Sequence, residues 1–303
     1  TIGLVVDVPA NAVPTGGWSN SLNVRPRNGS VQGVNSFADD IVLHPSDSNI
    51  ANGEAKAICQ FTPAGADNLI IAYIVKGANG NGSVVLYDTG GSGNSRWNNI
   101  TNATTDQVFT FDDSHPPQIF VFNELLIVNP ATDAPPQFTN AAVGAGSLAE
   151  LPNWINDSSN QPVICRILKG FNTRLIAMNI KEEHGAGTSN DVYQPIDLLF
   201  SSNITTISSL AAASWTASST NTAGDAFLVD TPGKILDGGQ LGEFFIAYKS
   251  DSVVRIRETG DSFVLAIESI FEDDGIYSSR CFANIGNAQH LVVGNYGVYI
   301  HDG

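Results

Sequence analysis

The chain is short of charge, and shorter of base than of acid. Asp, Glu, Lys and Arg together make up 15% of its 303 residues, against roughly 25% in an ordinary soluble domain. Ser, Thr, Asn and Gly fill the gap, which favours strands and tight turns over helices, whose exposed faces normally carry Lys and Glu. Only 14 basic residues stand against 30 acidic ones, for a formal net charge of -16. That balance argues against tight nucleic-acid binding, which depends on Lys and Arg displacing phosphate counterions. It serves solubility, and it would also suit a wall past which DNA must slide without sticking.

Long apolar runs are missing too. No stretch reaches the roughly 18 apolar residues of a spanning helix, and no secretory signal opens the sequence, so neither membrane insertion nor secretion is expected. Cysteine is scarce: Cys59, Cys165 and Cys281 are far apart, odd in number and outside any CxxC or Cys/His spacing. Each lies in or beside an apolar run, which predicts buried free thiols folded in a reducing cytoplasm. The five histidines, His44, His115, His184, His290 and His301, show no metal-ligand spacing and read as core or loop residues.

Catalytic motifs are also lacking. Gly90-Gly91-Ser92-Gly93 is followed by Asn94, not by the glycine arrangement of a nucleophile elbow. Gly80-Asn81-Gly82 sits between two apolar runs and predicts a turn, not a dinucleotide loop. In DSNIANGE, Ala51 and Ile58 stand where an EF-hand needs acids. The acid pairs Asp39-Asp40, Asp112-Asp113 and Asp273-Asp274 read as loop and turn carboxylates, since neighbours on a strand point to opposite faces. The Asn-x-Ser/Thr triplets, such as that at Asn99, follow from composition. No residue is nominated as catalytic, cofactor-binding or metal-ligating, and no cofactor is expected.

What the sequence does have is a loose repeat. Its clearest copy is the final NAQHLVVGNYGVYIHDG, a polar turn, an apolar strand, a tight turn at Gly294-Asn295 and a second strand. Similar openings occur at Asp67-Asn68 before LIIAYIV, Asn123-Glu124 before LLIVN, Asn172-Thr173 before RLIAMNI and Gly242-Glu243 before FFIAYK. Between Asn68, Asn123, Asn172, Gly242 and Asn287 the steps are 55, 49, 70 and 45 residues. Periods near 40 to 50 residues with several short strands per unit predict an all-β fold, a β-propeller of four-stranded antiparallel blades. A single blade cannot bury both faces of its sheet, so neighbours must stack.

Along the chain, an N-terminal arm over residues 1–35 is expected to hold a hairpin around Asn28-Gly29, followed by a propeller body over 36–303. Strands are predicted at AICQFTP, LIIAYIV, SVVLYD, WNNIT, VFTFDD, QIFVFN and LLIVN. Pro116-Pro117 and Pro135-Pro136 read as unit boundaries, and Ser147 to Leu151 as a loop or short helix. The Ser/Thr/Ala tract from Asn203 to Gly224 predicts loop with a helical turn at SSLAAAS. Lys234 to Phe271 reads as a four-stranded meander turning at DGG, KSDS and TGDS. The last unit, from near Ser278, would stop after its third strand, inside a blade.

These pieces in this order resemble a known family, the tail tubular protein B or tail nozzle of short-tailed bacteriophages. The resemblance is carried by DVPANAVPTGGWSNSLNVRPRNGSVQGV, FNELLIVNPATDAPPQF, LKGFNTRLIAMNI, LLFSS, the long run from SWTASSTNTAGDAFLVDTPGKIL to VVRIRETGD, and HLVVGNYGVYIHDG. It spans almost the whole chain; each motif alone is weak, and their order is what is specific. Phe200 stands where the family tends to have Trp, and family members generally continue beyond the last strand. The resemblance implies a virion structural protein without enzymatic activity, assembled in the host cytoplasm into a hexameric ring in the viral tail. Its implied partners are further copies of itself, the head-tail adaptor, the tail fibres and viral DNA in passage. The alternative is a propeller that binds or cleaves carbohydrate on a host surface, which would need aromatic platforms such as Trp97, Trp154 or Trp215 beside paired carboxylates.

Overall fold

The computed structural model describes residues 3–4, 17–18, 24–27, 30–33, 53–63, 69–76, 84–88, 97–101, 109–139, 148–157, 160–182, 192–260 and 264–303. The chain divides into two compact units, Thr1–Leu43 and His44–Gly303. In the first, β1 (Gly3–Leu4) runs parallel to β2 (Gly17–Trp18), and β3 (Val24–Arg27) runs antiparallel to β4 (Ser30–Gly33). Arg27 lies opposite Ser30, the register expected of the hairpin, while the expected turn at Asn28-Gly29 lies outside the described residues.

The second unit is a β-propeller whose four blades are small antiparallel sheets, each a meander in chain order. Blade 1 comprises β5 (Gly53–Phe61), β6 (Leu69–Lys76), β7 (Val84–Asp88) and β8 (Trp97–Asn99). Blade 2 comprises β9 (Gln118–Phe122), β10 (Leu125–Asn129), β11 (Gln137–Thr139) and β12 (Ala149–Glu150). Blade 3 has β13 (Ile164–Phe171), β14 (Arg174–Glu182), β15 (Val192–Phe200) and β16 (Gly224–Phe227), with the short helix α1 (Ile207–Ala212) before its last strand. Blade 4 has β17 (Ile235–Leu241), β18 (Phe244–Lys249), β19 (Val253–Glu258) and β20 (Leu265–Phe271). A three-stranded sheet, β21 (Phe282–Gly286), β22 (Gln289–Val293) and β23 (Val298–His301), packs on blade 4.

The repeat read from sequence is the hairpin joining the first two strands of a sheet. Two-residue turns need positive φ to match the right-handed twist of their strands. Asn123 and Glu124 have φ of 45° and 64°, Asn172 50°, Gly242 61°, and Asn287 and Ala288 53° and 52°. The flanking residues Phe122 and Leu125, Phe171 and Arg174, and Leu241 and Phe244 pair directly across these turns.

The second strands of blades 2, 3 and 4 are buried on both faces, which is why they read as apolar runs. Successive side chains alternate between the two neighbouring interfaces. In β10, Leu126 and Val128 pack with Phe61, Ile71 and Tyr73 of blade 1, while Leu125 and Ile127 pack with Cys165 and Leu168 of blade 3. In β14, Leu175 and Ala177 join that second cluster, and Ile176 and Met178 meet Phe245 and Ala247 of blade 4. Ile246 and Tyr248, the alternate residues of β18, face Phe282 and Val292 of the last sheet.

Four local expectations are corrected. Of VFTFDD, Val108 lies outside the described residues and Phe109–Asp113 show no strand beyond a single bridge residue at Phe109: the Thr110 amide donates to the Asp133 carboxylate and Thr110 O accepts from the Thr132 hydroxyl. Leu148 to Leu151 is extended rather than helical, with β12 within it and the Leu151 amide donating to Pro136 O; Ser147 lies outside the described residues. Pro135-Pro136 joins β10 to β11 within blade 2 and marks no boundary. The DGG of 237–239 lies inside β17, not in a turn. A Cβ at Gly238 would sit 2.8 Å from Met178 Cε, and one at Gly239 2.9 Å from the Phe282 ring, so these glycines let neighbouring sheets approach.

Candidate functional site

The first strands of successive blades, β5, β9, β13 and β17, lie side by side along the centre of the propeller. Polar ties cross from one blade to the next. Asn129 Nδ2 donates to Cys165 O at 3.2 Å, and Asn179 Nδ2 donates to Ile235 O at 2.7 Å. Lys169 Nζ lies 3.0 Å from Asp237 Oδ1, while Asp237 Oδ2 accepts from the Arg280 amide at 2.9 Å. The Arg280 guanidinium then donates to Pro117 O at 2.6 Å and Lys56 O at 3.3 Å, joining the lead-in of the last sheet to blades 1 and 2.

Strands β9, β13 and β17 with their lead-ins line a cavity of about 540 Å³. Its lining includes Arg166 and Lys169 from β13, Lys234 just before β17 and Arg280 before β21, with His115, Gln118, Asn179 and three serines of the lead-in loops, Ser114, Ser278 and Ser279. Among the described residues, Asp237 is the one carboxylate on that wall. His115 Nδ1 is 2.6 Å from Asp112 Oδ2, yet its pKa lies below the ordinary value, because burial and the charges of Arg166 and Lys234 outweigh the carboxylate. Arg166 donates from a terminal nitrogen to Ala131 O and Thr132 O, and its buried Nε has no partner; neither has the buried Oδ1 of Asn179. The sequence reading missed this cluster, because its members come from different units and no spacing rule joins them.

A second polar cluster links blade 4 to the last sheet. Tyr248 Oη lies 2.9 Å from both His290 Nδ1 and His301 Nδ1. His290 Nε2 faces Gln240 O at 3.0 Å, so it must carry the proton, which leaves Nδ1 to accept from the tyrosine. The tyrosine oxygen therefore accepts from His301 Nδ1, and His301 Nε2 is left as a buried lone pair without a partner. Burial pulls both histidines below their usual pKa and pushes Tyr248 above its own. The buried ammonium of Lys249 is satisfied by three oxygens, those of Leu228 O and Thr231 O and the Thr231 hydroxyl, and burial lowers its pKa.

The other residues considered from sequence are placed as follows. Asp112 caps the turn at Ser114 and pairs with His115; Asp113 lies 3.6 Å from Lys56 Nζ; and Asp274 accepts from the Asn295 amide and the Tyr299 hydroxyl. Asp39-Asp40, His44, His184 and the Gly80 and Gly90 segments lie outside the described residues. Trp154 and Trp215 meet edge to face at 4.6 Å, Trp215 is 2% exposed and Trp154 Nε1 donates to Val163 O, so these two rings are spent on packing; the Trp97 side chain lies outside the described residues. Cys165 is buried, with burial raising its pKa, whereas Cys59 and Cys281 are half-buried; all three are free thiols. No group of three or more His, Cys, Asp or Glu suited to a metal occurs among the described residues, and none of their helices is long and apolar enough to cross a membrane. No protein-family model matches the sequence, and comparison with curated proteins returns no match either.

Proposed function

We propose that this chain is a structural protein of a short viral tail, a nozzle subunit that assembles in the host cytoplasm into a ring of about six copies around the DNA path. The ring would attach to the head-tail adaptor, hold tail fibres and let the genome pass without binding it. The subunit acts by shape and charge, with no chemical step. The ordered motifs of the sequence motivate this reading, and the propeller body with its acid-rich composition is compatible with it.

The observation that carries assembly is the outward face of the last sheet. On that face Leu291 lies opposite Ile300 and Val293 opposite Val298, with Ile285 alongside. Val298 is 64% and Ile300 59% exposed, so an apolar sheet face stands uncovered. Contiguous apolar faces of this kind mark interaction surfaces, and in this reading a second copy of the chain covers it. Light scattering on the purified chain, alone and with the head-tail adaptor of the same virus, tests the proposal. A ring of about six copies, in either condition, is the expected result; a monomer indifferent to the adaptor would overturn it.

A further inference from the structure

We propose that the central cavity is a binding site for a small multivalent oxyanion, a phosphate-bearing molecule held by Lys234, Arg166 and the serine hydroxyls. The chain holds only 14 basic residues against 30 acidic ones. Four of them, Arg166, Lys169, Lys234 and Arg280, nevertheless line one cavity whose described lining contains a single carboxylate residue, Asp237. Bringing like charges together in a partly desolvated space is unfavourable unless an opposite charge enters it.

Structural duty accounts for only part of the cluster. Lys169 is neutralised by Asp237, and Arg280 is spent on Pro117 O and Lys56 O. Lys234 makes no ion pair among the described residues; its backbone amide is bonded to the Ser250 hydroxyl, and its side chain is exposed on the cavity wall. Arg166 donates from a terminal nitrogen to Ala131 O and Thr132 O but makes no ion pair among the described residues, so its positive charge stands on the wall uncompensated by a carboxylate. Ser114, Ser278 and Ser279 add neutral donors on the same wall. A fixed guanidinium charge, an ammonium and hydroxyls on one wall suit phosphate recognition. The volume of about 540 Å³ falls in the range of small-molecule sites, roughly 300–1,000 Å³, and this enclosure favours a compact ligand over a polymer. The inference stands apart from the tail reading and needs neither a ring nor an adaptor.

Titration calorimetry on the whole chain, with sodium pyrophosphate as the probe at ionic strength held constant with sodium chloride, tests it. One saturable site is expected. Lys234→Gln should weaken it about tenfold or more, the loss of one charge-assisted hydrogen bond, while Lys234→Arg retains it. Arg257→Gln, on an exposed position of β19, should leave it unchanged. No saturable binding to the native chain, or equal weakening by Lys234→Gln and Arg257→Gln, would overturn the proposal. So would Lys234-dependent binding of a short DNA duplex without binding of pyrophosphate, which would reassign the cluster to a nucleic-acid backbone.

Discussion

The two faces of β18 are built from one alternating run, yet they hold their neighbours in different ways. Phe245 and Ala247 face blade 3 through a dry cluster with Ile167, Phe171, Ile176 and Met178. Ile246 and Tyr248 face the last sheet, and there Tyr248 closes a hydrogen-bonded chain through His290 and His301. A dry interface is set by volume and tolerates small shifts at modest cost. The polar one is set by direction: it forms only when His290 lies directly opposite His301, as it does in the β22–β23 register. At β18 the dry face works by burial, while the polar face fixes which residues meet.

Truncating the dry face should break that contrast most visibly. Phe245 is fully buried, with its ring 5.7 Å from that of Phe171. Phe245→Ala should cost about 3–5 kcal/mol through lost burial and the cavity left behind, read from the chemical denaturation midpoint. On the polar face, Tyr248→Phe keeps the ring and removes only the hydroxyl. It strands the Nδ1 atoms of both histidines, and the expected loss is smaller, about 1–3 kcal/mol. A larger loss for Tyr248→Phe than for Phe245→Ala would reverse the assignment of roles.

Acid should loosen the polar face and spare the dry one. Burial places His290 and His301, and also His115, below the ordinary histidine value of 6.5. Below that pH the unfolded chain takes up protons that the folded chain refuses, so stability falls as pH drops from about 6.5 toward the folded values. Asp197 runs the other way: burial raises it from 3.8 to about 6, so the folded chain binds its proton first and gains stability as pH falls through that window. Asp197→Asn removes this offset and should steepen the loss of melting temperature below pH 6. A melting temperature flat between pH 7 and pH 5 in that variant would show that the histidine cluster is not buried in its neutral form.

The blades were legible where a strand is buried on both faces. LLIVN, RLIAM and FFIAY announce themselves as unbroken apolar runs after a two-residue turn, and the turn's positive φ explains why Asn and Gly recur there. Where long-range side chains decide, the local pattern misled. VFTFDD alternates like a strand, but Thr132 and Asp133 claim the backbone of Thr110. The glycines of DGG look like a turn until Met178 and Phe282 are seen to fill the space beside them. The candidate site was hidden for the same reason. Arg166, Lys234 and Arg280 belong to three different sheets or their lead-ins, and only the convergence of the inner strands brings them to one cavity. His290 and His301 could have been paired from the hairpin register alone, but their partner Tyr248 lies on another sheet.

The smallest effect on stability is expected on the face that the last sheet turns outward. Its inner side is fixed by Tyr248 and Val292, whereas its outer side leaves Ile300 59% exposed. A side chain already in water contributes little to folding, so Ile300→Ser should change stability by no more than about 0.5 kcal/mol. Val293 and Val298 pair across the same face, and Val298→Ser should be equally mild. If that face is where copies meet, the double variant should fold with an unchanged denaturation midpoint and yet fail to form a ring, because each copy would bring a polar edge to an interface built for burial. A ring that persists in the double variant would place the contacts between copies on another surface. Loss of folding along with the ring would instead show that the face is already covered within the chain. Stability and assembly measured on one sample therefore separate what holds the blade from what the blade holds.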